Sequence, residues 1–329
     1  MKSIDNVFVV VKRLPHHNLS KDKEEALKQL TELVTEVEWE TGLEAWLAWN
    51  LGCSLSLPQL LDQTQGGDKP TFRATCNRSG KSHAFTSMEA AAAFGGAVND
   101  RFHWRIDLKN FDLEVVLNIV EHSLYVCLAL TKESLHRRNL HHFGPTSLRA
   151  TICYSLLRLG KIKPGEVVCD PMCGGGSISL EGALNWRDAI HLCGDNHELA
   201  RDRTYQNILA LNDQLRKEGR PEIQVEQFQW DVCRLPLRDH SVDVFVTDLP
   251  FGKRMGSKHD NRTLYPALLK EMARAAKPKS SRAVILTQDK VTFSKVILKT
   301  RQWFQAKVYA VNVGGLAACV FILHRTSVS

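Results

Sequence analysis

The pattern of hydrophobic and polar positions changes near residue 145, and this change divides the sequence into two parts. In the first part, apolar residues at helical spacing predict helices over Lys21–Trp39 and Ser87–Asp100. Short runs rich in apolar residues predict strands over Val7–Val11, Phe72–Cys76, Trp104–Ile106, Phe111–Val120 and Leu124–Leu130, the last two forming a hairpin with a polar tip. Residues 51–70, which contain Pro58 and Gly66-Gly67, are predicted to be a linker.

From about residue 145 the pattern becomes a strand-helix alternation, which is typical of a parallel sheet covered by helices on both faces. The predicted strands are Val167–Asp170, Ile190–Asp195, Val225–Trp230, Val242–Asp248 and Ala283–Thr287. The predicted helices between them are Ile178–Trp186, Glu198–Leu211, Leu264–Ala276 and Val291–Leu298. Two final runs, Ala306–Val313 and Leu316–His324, flank Gly314-Gly315 and predict an antiparallel last strand. A seven-stranded class I methyltransferase ends in this way, so we expect an α/β, Rossmann-like domain preceded by a smaller α+β module.

Two loops carry the candidate chemistry. The first, Asp170-Pro171-Met172-Cys173-Gly174-Gly175-Gly176-Ser177, follows a predicted buried strand, and Asp248-Leu249-Pro250-Phe251 follows another. In an open parallel sheet, ligands bind outside the carboxyl ends of the strands, so both loops are expected at one cleft. A glycine-rich loop beside an Asp-x-Pro-aromatic loop favours an enzyme that methylates a planar amino group with S-adenosylmethionine.

The strand ends suggest how the cofactor is held. Glycines let the backbone approach a ligand closely, so Cys173, Gly174 and Gly176 are expected around its methionine part, with Asp170 near its ammonium group. Asp195-Asn196 ends the next strand, where an acidic side chain can accept both ribose hydroxyls. Asp231 ends the third strand and is placed for the adenine amino group, with Val232 beside it. Each aspartate alone could be a helix cap, but three at successive strand ends favour a cofactor site.

The loop at Asp248 is predicted to carry out the reaction. An exocyclic base amine is a poor nucleophile because its lone pair is delocalised into the ring. The Asp248 carboxylate and a backbone carbonyl could accept its two hydrogens and draw the nitrogen towards tetrahedral geometry. Pro250 stiffens the loop and has no N–H, and Phe251 offers an apolar face for a base extruded from its stack.

The charge is unevenly distributed and indicates a polyanionic substrate. Residues 1–142 contain 16 basic and 18 acidic side chains, whereas residues 143–329 contain 27 and 18. Within the second part, residues 251–301 contain 13 basic and 3 acidic side chains, directly after the Asp248 loop. A basic surface at the mouth of a cleft favours nucleic acid. We therefore expect Lys253, Arg254, Lys258 and Arg262 to contact backbone phosphates, with Arg73 and Arg78 as further RNA-binding candidates.

Composition sets some outer limits. Hydrophobic residues make up 43% of the chain, and no apolar run approaches the roughly 20 residues of a membrane helix. Nine cysteines occur without any Cys-x-x-Cys pair, so neither structural zinc nor disulfides are expected. A cytoplasmic location, with a possible nuclear pool, is the corresponding expectation.

Longer motifs resemble a known family. They are Phe72–Arg78, Phe94–Val98, Ser134–Asn139, His142–Thr146, Asp170–Gly174, Gly194–Asn196, Thr247–Lys258 and Val311–Leu316. Together they identify the chain as similar to the THUMP-domain tRNA guanine-N2-methyltransferases. Leu249 replaces the first proline of the broader Asp/Asn-Pro-Pro-Tyr/Phe pattern.

This resemblance implies transfer of a methyl group from S-adenosylmethionine to guanosine N2 in tRNA, typically guanosine 6 of the acceptor stem. It implies a partial ferredoxin-like segment (residues 1–50), a linker (51–70), a THUMP domain (71–133) that holds the tRNA 3′ end, and a methyltransferase domain (134–329). The chain begins where the family is already midway through its N-terminal domain, so a shortened form is expected. The resemblance also implies a small zinc-ribbon activator subunit, docking by strand addition at the edge strand Gln224–Trp230.

Three other interpretations stay open from the residues. An RNA or DNA adenine-N6-methyltransferase could hold its amine in the same loop. A nonenzymatic RNA-binding protein with a degenerate domain is opposed by the presence of Asp170, Asp195, Asp231 and Asp248. A dehydrogenase is disfavoured because Gly174-Gly175-Gly176 lacks Gly-x-Gly-x-x-Gly spacing and the final strand reverses.

Overall fold

The chain forms two compact units. The computed structural model describes residues 2–66, 68–80, 83–136, 138–144, 147–250 and 258–328, without the side chains of residues 258 and 259. Asp5–Leu135 is one unit, and the described residues of His136–Ser329, with the first few residues of the chain, form the other. In the described part, no helix is both long enough and apolar enough to cross a bilayer.

The first unit is a five-stranded sheet covered by helices. Its elements are β1 (Phe8–Leu14), α1 (Lys23–Glu32), a 3₁₀ turn (Leu33–Glu36), α2 (Trp39–Trp49), α3 (Leu57–Leu61), β2 (Thr71–Ser79), α4 (Ser87–Phe102), β3 (Arg105–Ile106), β4 (Leu113–Val120) and β5 (Ser123–Ala129). The strand order is β1-β5-β4-β2-β3. The pairs β1–β5 and β4–β5 are antiparallel, whereas β2 pairs parallel with both β3 and β4. The predicted hairpin is therefore present, and its tip includes Glu121 at φ 52°.

The helix predicted over Lys21–Trp39 is shorter than expected. It ends at Glu32, tightens into the 3₁₀ turn, and reaches extended backbone at Val37. The β-branched Val34, Thr35 and Val37 lose rotamer freedom in a helix, so this stretch favours an exit from it. A new helix, α2, then begins at Trp39, and its Leu43 is fully buried.

The predicted linker contains a packed element. Helix α3 lies within residues 51–70, and its Leu60 is fully buried with the core of this unit. The Leu60 carbonyl also accepts a 3.0 Å hydrogen bond from the indole of the buried Trp104. The domain boundaries at residues 50, 70 and 133 stay predictions, but α3 and the strands after it share one core.

The second unit is a seven-stranded sheet between two helical layers. Its elements are α5 (Ala150–Leu159), β6 (Val167–Asp170), α6 (Ser177–Asn185), β7 (Ile190–Asp195), α7 (Glu198–Lys217), β8 (Glu226–Gln229), β9 (Val244–Asp248), α8 (Lys258–Ala275), β10 (Arg282–Thr287), α9 (Lys290–Ile297), β11 (Trp303–Val313) and β12 (Leu316–Arg325). The order is β11-β12-β10-β9-β6-β7-β8. Strand β12 pairs antiparallel with β10 and with β11, which confirms the expected α/β class and the reversed final strand.

The central strands are buried on both faces. Along β9, Phe245 packs into the core beneath α8 and α9, whereas Val244 and Val246 pack into the core that contains α5. Every residue of β10 is buried, as expected for a parallel strand covered on both sides. This continuous apolar centre leaves the carboxyl ends of the strands as the place where polar side chains can reach a ligand.

Two neighbouring glycines in α4 provide a test of the packing in the first unit. A Cβ at Gly95 would lie 2.8 Å from the Cβ of Ala74 on β2, whereas a Cβ at Gly96 would meet nothing within 4 Å. We expect Gly95→Ala to lower the free energy of unfolding by about 1–2 kcal/mol through overpacking. Gly96→Ala should raise it by about 0.5–1 kcal/mol through helix propensity. Urea unfolding of both variants checks this, and equal effects would contradict the close α4–β2 approach.

Candidate active site

Three aspartates lie at one end of the second sheet. Strand β6 lies between β7 and β9, so Asp170 at its end lies between Asp195 at the end of β7 and Asp248 at the end of β9. The register pairs Asp170 with Cys193 and Asp248 with Leu286 of β10. The two loops singled out in the sequence therefore emerge from the same side of the sheet, where the parallel strands have their carboxyl ends. We call this side the catalytic edge; it is distinct from the outermost strands β8 and β11.

The glycine loop has a backbone that only glycine adopts without strain. Gly174 has φ 54°, and Gly176 has φ 81° as the N-cap of α6. A Cβ at Gly176 would lie 2.6 Å from Leu180 and 2.9 Å from Thr204. The loop is also tied to β7, because Asp195 Oδ2 accepts a 3.0 Å hydrogen bond from the Gly174 N–H.

Helix α7 supports the glycine loop from below. Thr204 Oγ1 donates to the Gly174 carbonyl, and Asn207 Nδ2 donates to the carbonyls of Gly175 and His142, all at 3.0 Å. Asn207 Oδ1 accepts from the N–H groups of His141 and His142. Both α7 side chains are fully buried. Sequence reasoning missed them, although two polar residues three positions apart on the inner face of a helix were an available signal.

Trp230 is a second support that sequence reasoning missed. Its indole donates a 3.0 Å hydrogen bond to the Pro171 carbonyl, and the side chain is 5% exposed. A Cβ at Gly194 would lie 2.5 Å from the indole, so the glycine before Asp195 provides the room for it. Only Phe228, stacked on Trp230 with ring centroids 5.3 Å apart, offers an exposed aromatic on β8.

The Asp248 loop is held at Pro250. The Pro250 carbonyl accepts a 3.0 Å hydrogen bond from Tyr265 Oη and a longer one from Asn261 Nδ2. Tyr265 also contacts Thr287 Oγ1 at 3.1 Å, which connects the loop to the end of β10. Asn261 and Tyr265 belong to α8 and were not predicted. Phe251, the predicted stacking residue, lies outside the described residues.

The acidic groups at the catalytic edge have raised pKa values, because they are removed from water and lie near one another. Burial, together with the charge of Asp248, raises the pKa of Asp170 well above its usual range. Burial and the charge of Asp195 raise the pKa of Asp248 to about 6. Asp170 Oδ2 and Asn261 Oδ1 are buried, and neither has a hydrogen-bond partner among the described residues. Such a site fits a ligand that brings positive charge and hydrogen-bond donors.

Comparison with known proteins identifies the family. Residues 137–318 match the model of the RMKL-like methyltransferase domain, and residues 57–129 match the THUMP domain. The chain is 40% identical to the human tRNA (guanine(6)-N(2))-methyltransferase THUMP3, over 99% of this chain and 78% of that protein. The chain belongs to the THUMP-domain tRNA guanine-N2-methyltransferase family.

More distant relatives agree. The tRNA (guanine(6)-N2)-methyltransferase of Methanocaldococcus jannaschii is 28% identical over 73% of this chain and 72% of its own length. Among solved structures, TrmN from Thermus thermophilus superposes with a TM-score of 0.67 at 23% identity, over 98% of this chain and 83% of that one. This second likeness establishes the fold.

The remaining residues predicted to bind the cofactor also lie at the catalytic edge. Their side chains differ in exposure. Cys173 is buried beside Thr204, so its thiol faces the interior, and we expect it to shape the loop without touching a ligand. Asn196 and Asp231 are exposed at the ends of β7 and β8, and Val232 is buried beside Asp231. Asp231 Oδ1 accepts from the Cys233 N–H, which fixes the turn after β8.

The predicted RNA-binding residues divide into three groups. Lys253 and Arg254 lie outside the described residues, as does the side chain of Lys258 at the start of α8. Arg262 is exposed on α8. The two arginines of the first unit make local contacts: Arg73 pairs with Glu114 at 3.0 Å, and Arg78 donates to the His83 carbonyl at 3.3 Å. Each of these bonds occupies only part of the hydrogen-bonding capacity of its guanidinium group, so both arginines stay RNA-binding candidates.

Metal and disulfide chemistry receive no support from the described residues. No group of three or more histidine, cysteine or acidic side chains is arranged there to hold a metal ion. All nine cysteines are free thiols, and Cys169, Cys173 and Cys193 are buried near the glycine loop.

The raised pKa of Asp248 has a consequence for stability. Since an unfolded aspartate titrates near 4, the folded protein binds a proton more tightly, and its free energy of unfolding should fall as the pH rises from about 4 to 6. Asp248→Asn places an uncharged side chain of the same shape at this position. It therefore removes the pH-dependent fall in the free energy of unfolding. We expect the variant to be more stable than the wild type at pH 7.5, by up to about 3 kcal/mol.

Denaturant unfolding of the cofactor-free protein at pH 5 and 7.5 measures this difference. It should shrink towards pH 5, where the wild-type carboxyl is largely protonated. Asp188→Asn, at an exposed aspartate of the same unit, is the matched control and should change little at either pH. A variant less stable than the wild type at pH 7.5 would contradict the electrostatic assignment.

Proposed function

We propose that this chain transfers a methyl group from S-adenosylmethionine to the N2 amine of guanosine in tRNA, at guanosine 6 of the acceptor stem. The observation that carries the proposal is the half-buried Asp248 carboxyl group, with a pKa of about 6, beside the glycine loop at the same sheet edge. The relatives named as tRNA (guanine(6)-N(2))-methyltransferases support the choice of substrate. A cytoplasmic location, with a nuclear pool, belongs to the same proposal.

The residues present fit S-adenosylmethionine. Its sulfonium and ammonium groups outweigh its carboxylate, so the net positive charge complements Asp170 and Asp248. Asp170 Oδ2, which is buried without a partner among the described residues, is the acceptor we assign to the ammonium group. Asp195 and Asn196 are assigned to the ribose, and Asp231 with Val232 to the adenine. A solved putative methyltransferase with this fold is complexed with S-adenosylhomocysteine, and it superposes with a TM-score of 0.61.

The chain's own residues would prepare the amine. When bound, the cofactor supplies an electrophilic methyl group on sulfur. Asp248 accepts one amine hydrogen, and the second needs a backbone carbonyl in the same loop. Because the Pro250 carbonyl is already bonded to Tyr265 and Asn261, we assign this role to the carbonyl of Leu249. After methylation the nitrogen releases one proton, and a carboxylate with a pKa near 6 is suited to receive it at neutral pH.

Asp248→Ala tests this assignment. Because cofactor binding is assigned mainly to Asp170, Asp195 and Asp231, affinity for S-adenosylmethionine by calorimetry should stay within a few fold. Turnover on tRNA should fall by at least about 10²-fold, as expected for a positioned acid-base group. Asp248→Asn should keep part of the activity, since its amide oxygen still accepts one hydrogen bond.

The product distinguishes the alternatives. Digestion of tRNA methylated with tritiated cofactor should yield N2-methylguanosine, whereas N6-methyladenosine would favour the adenine enzyme. Failure of the wild type to bind the cofactor would favour a nonenzymatic RNA-binding protein. Near wild-type turnover of Asp248→Ala would place the active site on another loop.

We further propose that a small zinc-ribbon activator subunit docks on β8 by strand addition. Strand β8 is a sheet edge, so one side of its backbone has no neighbouring strand within the described residues. Phe228, 40% exposed on this strand, is an apolar anchor. Trp230, which we also expected on the docking surface, is instead buried under the glycine loop. A subunit bound to Phe228 would therefore contact the ring that stacks on Trp230, whose indole holds the glycine loop at Pro171.

Co-expression with such a subunit tests this docking. Phe228→Ser should abolish co-purification, whereas Phe304→Ser is the matched control on β11, the opposite edge of the sheet, where Phe304 is 62% exposed. Equal retention of the subunit by both variants, or full activity of the wild type without any subunit, would count against the proposal.

A further inference from the structure

Lysines dominate the outer surface of α8 and α9. Residues 290–301 contain four basic side chains and no acidic one. Lys290, Lys295 and Lys299 are exposed on α9 and the turn after it, and Lys270 is exposed on α8. We call these four residues the lysine face.

The lysine face differs from other basic surfaces of this unit in lacking counter-charges. None of its four ammonium groups forms an ion pair with a described carboxylate. By contrast, Arg274 of α8 pairs with Glu271 and Asp239, and Arg216 of α7 pairs with Asp213 and Glu222. Of the acidic residues in or next to α8 and α9 with described side chains, Asp260 lies in the first turn of α8, Glu271 is engaged by Arg274, and Asp289 is buried as the N-cap of α9. The positive charge of the lysine face is therefore uncompensated along most of its length.

Both helices present this charge on the same side of the sheet. They pack side by side, with the Tyr265 ring against Phe293 at a centroid distance of 5.5 Å. Leu268 of α8 and Ile297 of α9 enter the same core. Since both inner faces lie on this core, both outer faces point away from it in a common direction.

The lysine face begins at the catalytic edge. Leu286 of β10 is the register partner of Asp248, and Lys290 follows only four residues later. The N-cap Asp289 accepts a hydrogen bond from Asn261, which also contacts the Pro250 carbonyl. From Lys290 the helix rises roughly 8 Å to Lys295 at 1.5 Å per residue, and Lys299 follows in the turn after the helix.

We propose that the lysine face binds the phosphate backbone of the RNA substrate and guides the strand leading to Asp248. This inference rests on the proposed function, because it takes RNA as the substrate. Unpaired cations spread over the helices that follow the Asp248 loop and strand β10 complement a polyanion whose target base must reach that carboxylate. The exposed Val291 and Leu298 lie among these lysines, so docking of an acidic protein is the outcome to be separated from RNA binding.

Charge removal tests the proposal. In the full chain, Lys290, Lys295 and Lys299 are each replaced by glutamine. Affinity for unmodified tRNA is then measured over a salt series. Loss of three phosphate contacts should lower the slope of log K against log salt by about 2–3 and weaken binding near physiological salt by at least about tenfold. The matched control replaces Arg216, Lys217 and Arg220 at the end of α7 by glutamine, removing the same charge. It should leave the slope close to that of the wild type.

Each result has a definite meaning. If the α9 variant has the same salt slope as its control, the lysine face does not bind the RNA backbone. The proposed function stays intact in that case, provided that the wild type binds tRNA and methylates it. A wild type that binds no tRNA at any salt would overturn the proposed function itself. Leu298→Ser should bind tRNA like the wild type. A loss of tRNA affinity in this variant alone would assign the surface to an apolar contact and reject the phosphate role.

Discussion

The candidate site depends on the electrostatic coupling between the buried Asp170 and the half-buried Asp248. Asp170 is shielded from water and Asp248 partly so at the end of the sheet, and the charge of Asp248 further raises the pKa of Asp170. Left to themselves, both loops would relax to expose these groups to water. The hydrogen bonds of Asn207, Trp230 and Tyr265 to loop carbonyls oppose that relaxation. The fold thus holds an unfavourable charge arrangement in place, and a cationic ligand would relieve it.

These supports explain why the site could be predicted only in part. The carboxylates follow from local signals, since a strand pattern that ends in aspartate places the side chain at the sheet edge. The supporting residues act over long separations along the chain: Asn207 lies 32 residues from Gly175, and Trp230 lies 59 residues from Pro171. Nothing in the local pattern around Trp230 distinguishes a side chain that faces a partner from one that turns inward. Its orientation is decided by the space above Gly194, which exists only in the folded sheet.

The same distinction applies to the first unit. Short apolar runs identified the strands of this unit, and the polar residues between β4 and β5 identified their hairpin. The helix after β1 was misjudged because its apolar spacing continues through Val34 and Val37, while the backbone leaves the helix at β-branched residues. Helix α3 was missed because Pro58 resembles a loop signal, although proline at the start of a helix lacks only an N–H that would be unsatisfied anyway.

Charge counted along the sequence also needs the structure before it becomes a surface. Of the basic residues in 251–301, Arg274, Lys277 and Arg282 pair with Asp239, Asp243 and Glu166, all of which lie outside that window. Among the described residues of this window, Lys270, Lys290, Lys295 and Lys299 have no ion-pair partner and lie on α8, on α9 and in the turn after it, while the aspartates lie at the catalytic edge. Solvent screens the outer charges beyond about 8 Å, whereas the buried ones are screened much less. In the proposed function the two fields would therefore act separately: the interior would select a cationic cofactor, and the exterior would attract a polyanion.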